Sequence, residues 1–365
     1  MLTWLKTRFE LSRKSSGNNL RAMEGMRGLA VMLVFLTHFC TLIAPWLMPT
    51  SGVAAFARHV HTVGNAGVDL FFVLSGYLIY KTLLLREQNF ASFMARRIRR
   101  IYPTFFTVFL IYGVLSYVFP SESSIPHDAP SAYLAANLLL LPGLFPIKPM
   151  ITVAWSLSYE MFFYLCLPFV VTALRLRRRT GAQRVTVILL LAAVPAAWAA
   201  VADNGHVRMT MFMSGMLVHE AIHRRARAPA GAVAACALAA GLSSCLLPIV
   251  GHVKTMVLFV SFYLVCTHCF LCPSGRLTRL FCWTPLRWFG NMSYSYYLLH
   301  GLALKTLFML LPSPAALSEH PLALFFLLLP AAFVLTLLVS SGLYLLVERP
   351  LSLDVVGAPA ATIPT

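Results

Sequence analysis

Arg27 and His38 stand eleven residues apart in one otherwise apolar run. On an α-helix that interval is about three turns, so the two side chains share one stripe with Glu24, roughly 16 Å apart along the axis. An imidazole at such a depth is costly unless partnered, and it is the side chain best suited to taking and returning a proton near neutral pH. A packing histidine satisfied by its neighbours is the plainer alternative. A second deep imidazole, His300, ends the string GNMSYSYYLLH, while His268 in VCTHCFLC reads as structural. Four arginines, Arg96, Arg97, Arg99 and Arg100, crowd the string FASFMARRIRRIYP. Guanidinium forks fit phosphate oxygens through paired hydrogen bonds, but charge alone would equally draw this segment to anionic lipid. Two acids, Asp69 in GNAGVDLFFVLSGYLI and Glu160 in WSLSYEMFFY, lie in apolar runs and need partners or a polar ligand. Trp155, Tyr159 and Tyr164 around Glu160 suit a sugar-binding wall or an interfacial aromatic belt.

The elements that must position these residues are membrane helices. The chain has 365 residues, of which 59% are hydrophobic and 11% charged, and its mean hydropathy is +0.77. A soluble chain carries about 25% charged residues, so there are too few charges here to coat a soluble surface. Apolar runs long enough to cross a bilayer fall at residues 28–47, 66–85, 102–119, 153–174, 185–202, 207–222, 230–250, 254–272, 289–311 and 322–347. The piece Tyr133 to Leu144 is too short to cross and is broken by Pro142 and Gly143. Pro103 marks a bend between the arginine patch and the third span. With the N-terminus in the cytoplasm, 24 of the 29 Lys and Arg residues fall on that side. Arg58, Lys148, Arg208 and Lys254 lie opposite, and Lys305 lies inside a span. That bias predicts an all-α polytopic protein of about ten transmembrane helices, N-in and C-in. It places the arginines at the cytoplasmic mouth, the histidines centrally, and Asp69 and Glu160 toward the outside.

Other classes fit poorly. The net charge of +17 is accounted for by cytoplasmic loops, and no nucleic-acid motif accompanies it. The eight cysteines lie in or beside apolar runs. Cys266, Cys269 and Cys272 are three apart but lack a second pair, so they read as buried apolar residues and not as metal ligands. No cleavable signal peptide and no appended soluble domain are expected. The chain divides into an N-terminal cytoplasmic segment (1–20), a membrane domain (21–350) and a short cytoplasmic tail (351–365).

Taken together, LRAMEGMRGLAVMLVFLTHF, GVDLFFVLSGYLI, RRIRRIYP, WSLSYEMFFY and GNMSYSYYLLH resemble, in order, the acyltransferase-3 family of integral membrane acyltransferases. The resemblance covers roughly residues 20–350. It maps the family's Arg-x10-His pair onto Arg27 and His38. The Arg-x-x-Arg motif maps onto Arg96/Arg99 or Arg97/Arg100, without deciding between them, and the Glu after Trp-Ser-Leu maps onto Glu160. The sequence departs from the family pattern at Met161 and Phe162, where polar residues are usual, and at Glu24, where Asp is common.

The resemblance implies ten core helices, acyl-CoA as co-substrate, no permanently bound cofactor or metal, and a bacterial inner-membrane location. It also implies a carbohydrate or glycolipid acceptor, such as an exopolysaccharide, O-antigen or lipid-linked sugar, and association with glycan-assembly proteins. On this reading Arg27 and the arginine patch hold the acyl-CoA. His38 is general base or transient acyl carrier, with Glu160 as the second catalytic residue. Asp69, Trp155, Tyr164 and His300 bind the acceptor or support the site. The alternative class is a transporter or flippase of a lipid-linked saccharide. An inverted-repeat transporter should show two matching halves, and no internal repeat is visible.

Overall fold

The computed structural model describes residues 2–11, 18–202, 205–311 and 321–354. Most of the predicted tail, 355–365, and residues 12–17 of the N-terminal segment lie outside the described residues. Among those described, the chain is helical with no β-strand. The helices are α1 (Leu2–Phe9), α2 (Asn18–Ile43), α3 (Gly52–Gly64), α4 (Ala66–Leu85), α5 (Phe90–Val118), α6 (Pro130–Leu138), α7 (Trp155–Ala173) and α8 (Gly181–Ala202). They continue as α9 (Thr210–His223), α10 (Gly231–Ser244), α11 (Gly251–Leu271), α12 (Arg276–Phe281), α13 (Thr284–Asn291), α14 (Ser293–Leu310) and α15 (Pro321–Leu343). A π-helical segment, Tyr344–Asp354, extends α15.

Among the described residues, seven helices are long and apolar enough to cross a membrane. They cover seven of the ten predicted spans, and the all-α polytopic class holds. The other three predicted spans fall on α9, α10 and α14. Both α9 and α10 have only 14 residues, and α10 stops at Ser244, ahead of Pro248. In α14 the polar run from Ser293 to Tyr297, with His300, dilutes the hydropathy. That span starts later than predicted, because Met292 leaves helical geometry (φ −95°, ψ 9°) and separates α13 from α14. Pro103 does not break the third span: arginine patch and span form one 29-residue helix. Asn89 caps it by accepting the Ala91 N–H at 2.7 Å. The short piece after residue 130 behaves as predicted. It makes α6, then turns at Leu140 (φ 55°) and Gly143 (φ 94°).

The core is organised around α4, which packs against α2, α7 and α9. Its closest approach is to α9, where two glycines let backbone touch backbone. A Cβ on Gly76 would sit 2.1 Å from the Phe212 carbonyl oxygen, and one on Gly215 would sit 1.9 Å from that of Val73. Neither obstacle is a flexible side chain, so added volume must part the helices. Gly76→Ala is expected to destabilise the protein by about 1–3 kcal/mol, the usual cost of overpacking a filled core. A thermal unfolding midpoint in detergent equal to wild type would refute this.

On the face that carries the N-terminus, α1 is tied down by polar bonds. Phe9 stacks on Tyr344 with ring centroids 5.3 Å apart, and Asn291 Nδ2 donates to the Phe9 carbonyl at 2.8 Å. Arg287, buried in α13, bridges Glu24 (Nε to Oε2, 2.9 Å) and Glu10. Glu24 therefore serves the N-terminal tie, although the sequence places it on the stripe of Arg27.

Candidate functional site

Two adjoining cavities share Arg27, Ser75, Glu160 and Tyr294 in their walls. One also carries Arg96, Arg97, Arg100 and Tyr164. The other runs between α4 and α14 past Ser156 to Tyr297. The arginine patch thus opens into the interior of the bundle, where a lipid-facing patch would not. Arg97 lies over the rings of Phe93 and Tyr164, at 5.7 Å and 5.9 Å from their centroids. Arg100 lies 5.6 Å over the ring of Tyr294 and pairs with Glu348 (Nη1 to Oε1, 2.8 Å). Arg99 is exposed and outside both walls, and Arg96 is held by Gln88. Of the two registers that the sequence allows for Arg-x-x-Arg, Arg97/Arg100 is the one whose members both line this cavity.

Arg27 is aimed by α14. Its Nε and Nη2 donate to Ser293 Oγ at 3.2 Å and 3.0 Å, and it lies within electrostatic reach of Arg100, Glu160 and Glu348. Glu160 Oε1 accepts from Ser75 Oγ at 2.6 Å and from the Tyr164 hydroxyl. Both bonds turn its carboxylate toward the arginines. Glu160, read from span depth as lying toward the outside, stands in the walls of both cavities, one of which carries the arginine patch. Tyr164 faces the same way.

His38 and His300 come together. Their rings meet edge to face with centroids 5.1 Å apart. His300 is fully buried, and its Nδ1 lies 2.9 Å from the carbonyl oxygens of Tyr296 and Tyr297. A carbonyl only accepts, so Nδ1 carries the hydrogen and, in the neutral ring, Nε2 is left as a lone-pair acceptor. Nε2 is buried without a hydrogen-bond partner. Tyr297, on the cavity wall, lies 6.3 Å from the His300 ring and fixes its own hydroxyl against Ser156 Oγ at 2.7 Å. The imidazole pair thus adjoins the second cavity at Tyr297 without itself lining either cavity.

Asp69 and Trp155 form a separate cluster. Arg208 grips both carboxylate oxygens of Asp69, at 2.8 Å and 2.9 Å, and lies 5.2 Å over the Trp155 ring. This is a bidentate pair that joins α4 to the segment before α9. Removing Arg208 would strand a buried carboxylate, a loss on the order of 3–5 kcal/mol. His268 is occupied by the Pro229 carbonyl, 2.8 Å from its Nδ1, in keeping with a structural role.

Two contributors escaped the sequence reading. Ser75 looked like one small residue in a glycine-containing span. Glu348 looked like the boundary of the last span, because Arg349 and Pro350 follow it. An acid with no basic residue one helical turn ahead of it was the available signal.

Comparison with known proteins bears on what this cavity is for. The family described as an acyltransferase domain matches residues 20–345. Acyltransferase MdmB of Streptomyces mycarofaciens is 30% identical over 153 residues, 41% of this chain and 38% of that protein. Exopolysaccharide production protein ExoZ of Rhizobium meliloti is 34% identical over 113 residues, 29% of this chain and 34% of that protein. O-acetyltransferase OatA of Staphylococcus aureus is 32% identical over 200 residues, 50% of this chain and 30% of that protein. The chain thus spans about a third of the length of the curated relatives it matches. No solved structure matches. With nine-tenths of its length inside one family match, the chain belongs to the acyltransferase-3 family of membrane acyltransferases.

Proposed function

We propose that the protein is a membrane O-acyltransferase that moves an acyl group, acetyl in the first instance, from acyl-CoA to a hydroxyl of a carbohydrate acceptor. The observation that carries this reading is the line of polar groups from Arg97, Arg100 and Arg27, past Glu160 and Tyr297, to the His38–His300 pair. The arginines offer guanidinium donors to the CoA phosphates. The narrower cavity between α4 and α14 receives the thioester end. His38 removes the proton as the acceptor oxygen attacks the thioester carbonyl. Collapse of the tetrahedral adduct then breaks the C–S bond, and the His38 imidazolium returns the proton to the leaving sulfur. The products are an ester and CoA as its thiol. His300 Nε2, an acceptor with no partner, supports the charged form of its neighbour. The names of the O-acetyltransferase and exopolysaccharide relatives support acetyl as the group and a polysaccharide as the acceptor; a lipid-linked sugar and a bacterial inner-membrane location follow from the family resemblance. Family membership favours acyl transfer over saccharide transport.

The decisive test is mass spectrometry of surface glycans from wild-type and deletion strains, paired with CoA release by purified protein given acetyl-CoA and those glycans. An added acyl mass on the wild-type glycan, restored by the gene in trans, is the expected result. Identical glycans and no acceptor-dependent CoA release would overturn the proposal.

Glu160 offers a sharper check. Glu160→Gln keeps the shape and the Tyr164 and Ser75 contacts but removes a negative charge beside three arginines. Anion affinity should hold or improve, while turnover should fall at least ~10-fold through loss of an ordered carboxylate where the donor and thioester cavities meet. Weakened CoA binding with normal turnover would reject this assignment.

A further inference from the structure

Arg27 and Arg100 are like charges facing one cavity, and something must hold them there when no anion is bound. The side chain that does so comes from the far end of the chain. Glu348 is fully buried and sits in the π-helical turn after α15, a geometry found mostly as single-turn bulges, often at functional sites. Its two carboxylate oxygens face different elements. Oε1 accepts from Arg100 Nη1 of α5 at 2.8 Å. Oε2 accepts from the backbone N–H of Ser295 at 2.9 Å and from Ser295 Oγ at 2.6 Å. Ser295 belongs to the first turn of α14, whose backbone N–H groups have no partner within the helix. The carboxylate is therefore seated on α14 independently of Arg100.

That same turn supplies Ser293, which aims Arg27, and Tyr294, whose ring lies beneath Arg100. Three successive residues of α14 and one acid from the chain's last helical segment thus set the spacing between the two guanidiniums.

We infer that Glu348 is the positioning residue of the donor site: it fixes Arg100 beside Arg27 at the spacing that a phosphate-bearing donor requires. This rests on the donor reading above. Glu348 touches neither the cavity that runs to Tyr297 nor the histidine pair. Its loss should therefore reach the reaction through Arg100, at the step of donor capture. Arg100 keeps most of its donors free for a ligand, since one Nη1–H engages Glu348 and a guanidinium carries five N–H groups.

The test is a cycle of Glu348→Gln, Arg100→Ala and the double variant, assayed for KM and kcat with acetyl-CoA as the probe. Glu348→Gln should raise the acetyl-CoA KM about tenfold, within the range measured for directly coupled side chains, with kcat changed by about twofold or less. The double variant should be no worse than Arg100→Ala alone. If Glu348 merely packs the bundle, KM would stay at the wild-type value, kcat and folded yield would fall, and the two single effects would multiply. That pattern overturns the inference. Should Glu348→Gln fail to fold, Ser295→Ala removes one of the three bonds to the carboxylate and should raise the same KM by a few-fold. An unchanged KM there is equally fatal. Wild-type protein that does not saturate with acetyl-CoA would overturn the donor reading itself, whereas wild-type saturation with an unmoved Glu348→Gln KM overturns this inference alone.

Discussion

His38→Ala is expected to abolish acyl transfer and to leave expression, membrane insertion and donor binding near wild type. The expectation follows from position. The imidazole is three helical turns from Arg27, half-buried, and its ring meets that of His300 at 5.1 Å. Loss of a positioned general base costs typically 10²–10⁴-fold, so the expected residual rate is about 1% or less. The folded state should tolerate the change, because truncating a half-buried ring forfeits less packing than truncating a fully buried core aromatic. Acetyl-CoA KM should not move, since the arginines that would hold the phosphates are untouched. His300→Phe makes the companion measurement. It keeps an aromatic ring in the pocket but removes the Nε2 acceptor, so transfer should fall, though by less than in His38→Ala. Residual transfer above about a tenth of wild type in His38→Ala would remove the histidine from the chemistry. A transient acyl carrier would behave differently from a base. Protein incubated with acetyl-CoA and no acceptor would then bear an acetyl group on the His38 peptide, and a general base predicts none.

The sequence was most informative where a residue type is expensive in its setting. Arginines, histidines and acids in apolar runs cannot be neutral choices, so Arg27, His38, Glu160 and the arginine patch could be picked out by composition and spacing. Helix periodicity put Arg27 and His38 on one stripe, and the helix α2 bears that out. What periodicity could not supply was the partner across the bundle. Asp69 and Glu160 looked alike in sequence, each an acid near the presumed outer end of a span. Arg208 claims the first, while Ser75 and Tyr164 turn the second toward the arginines. That division depends on which helices adjoin α4 and α7, and it has no local signature. Glu348 was missed for the same reason. Its partners Arg100 and Ser295 lie 248 and 53 residues away in sequence, and a span-boundary acid beside Arg349 has an adequate local explanation. The short spans misled in another way. Hydropathy counts apolar residues, but α14 carries a polar run, part of which lines a cavity, and so falls short of the apolar helices long enough to cross a membrane.

Replacing Arg97 and Arg100 together with lysine should weaken CoA binding about 5- to 150-fold, although the charge is conserved. Each guanidinium lies over an aromatic ring, Arg97 over Phe93 and Tyr164 and Arg100 over Tyr294, with its planar fork of donors at the cavity. An ammonium has neither the fork nor the stacking plane. Hydrogen bonds to charged groups contribute about 1.5–3 kcal/mol each, so the loss of one to two well-formed bonds, partly recovered by the lysine charge, leaves roughly 1–3 kcal/mol. Lipid attraction would follow different rules. It depends on the number of positive charges near the surface, about 1 kcal/mol per residue, and would be indifferent to lysine. The measurement is CoA affinity of purified protein in neutral detergent for wild type, paired lysine and paired alanine variants. Arg99→Lys serves as internal control, because Arg99 lies outside both cavity walls and its replacement should leave CoA affinity unchanged. The expected order of affinity is wild type, then lysine, then alanine. Equal affinity in all three would return the patch to a purely topological role and move the donor site elsewhere on the molecule.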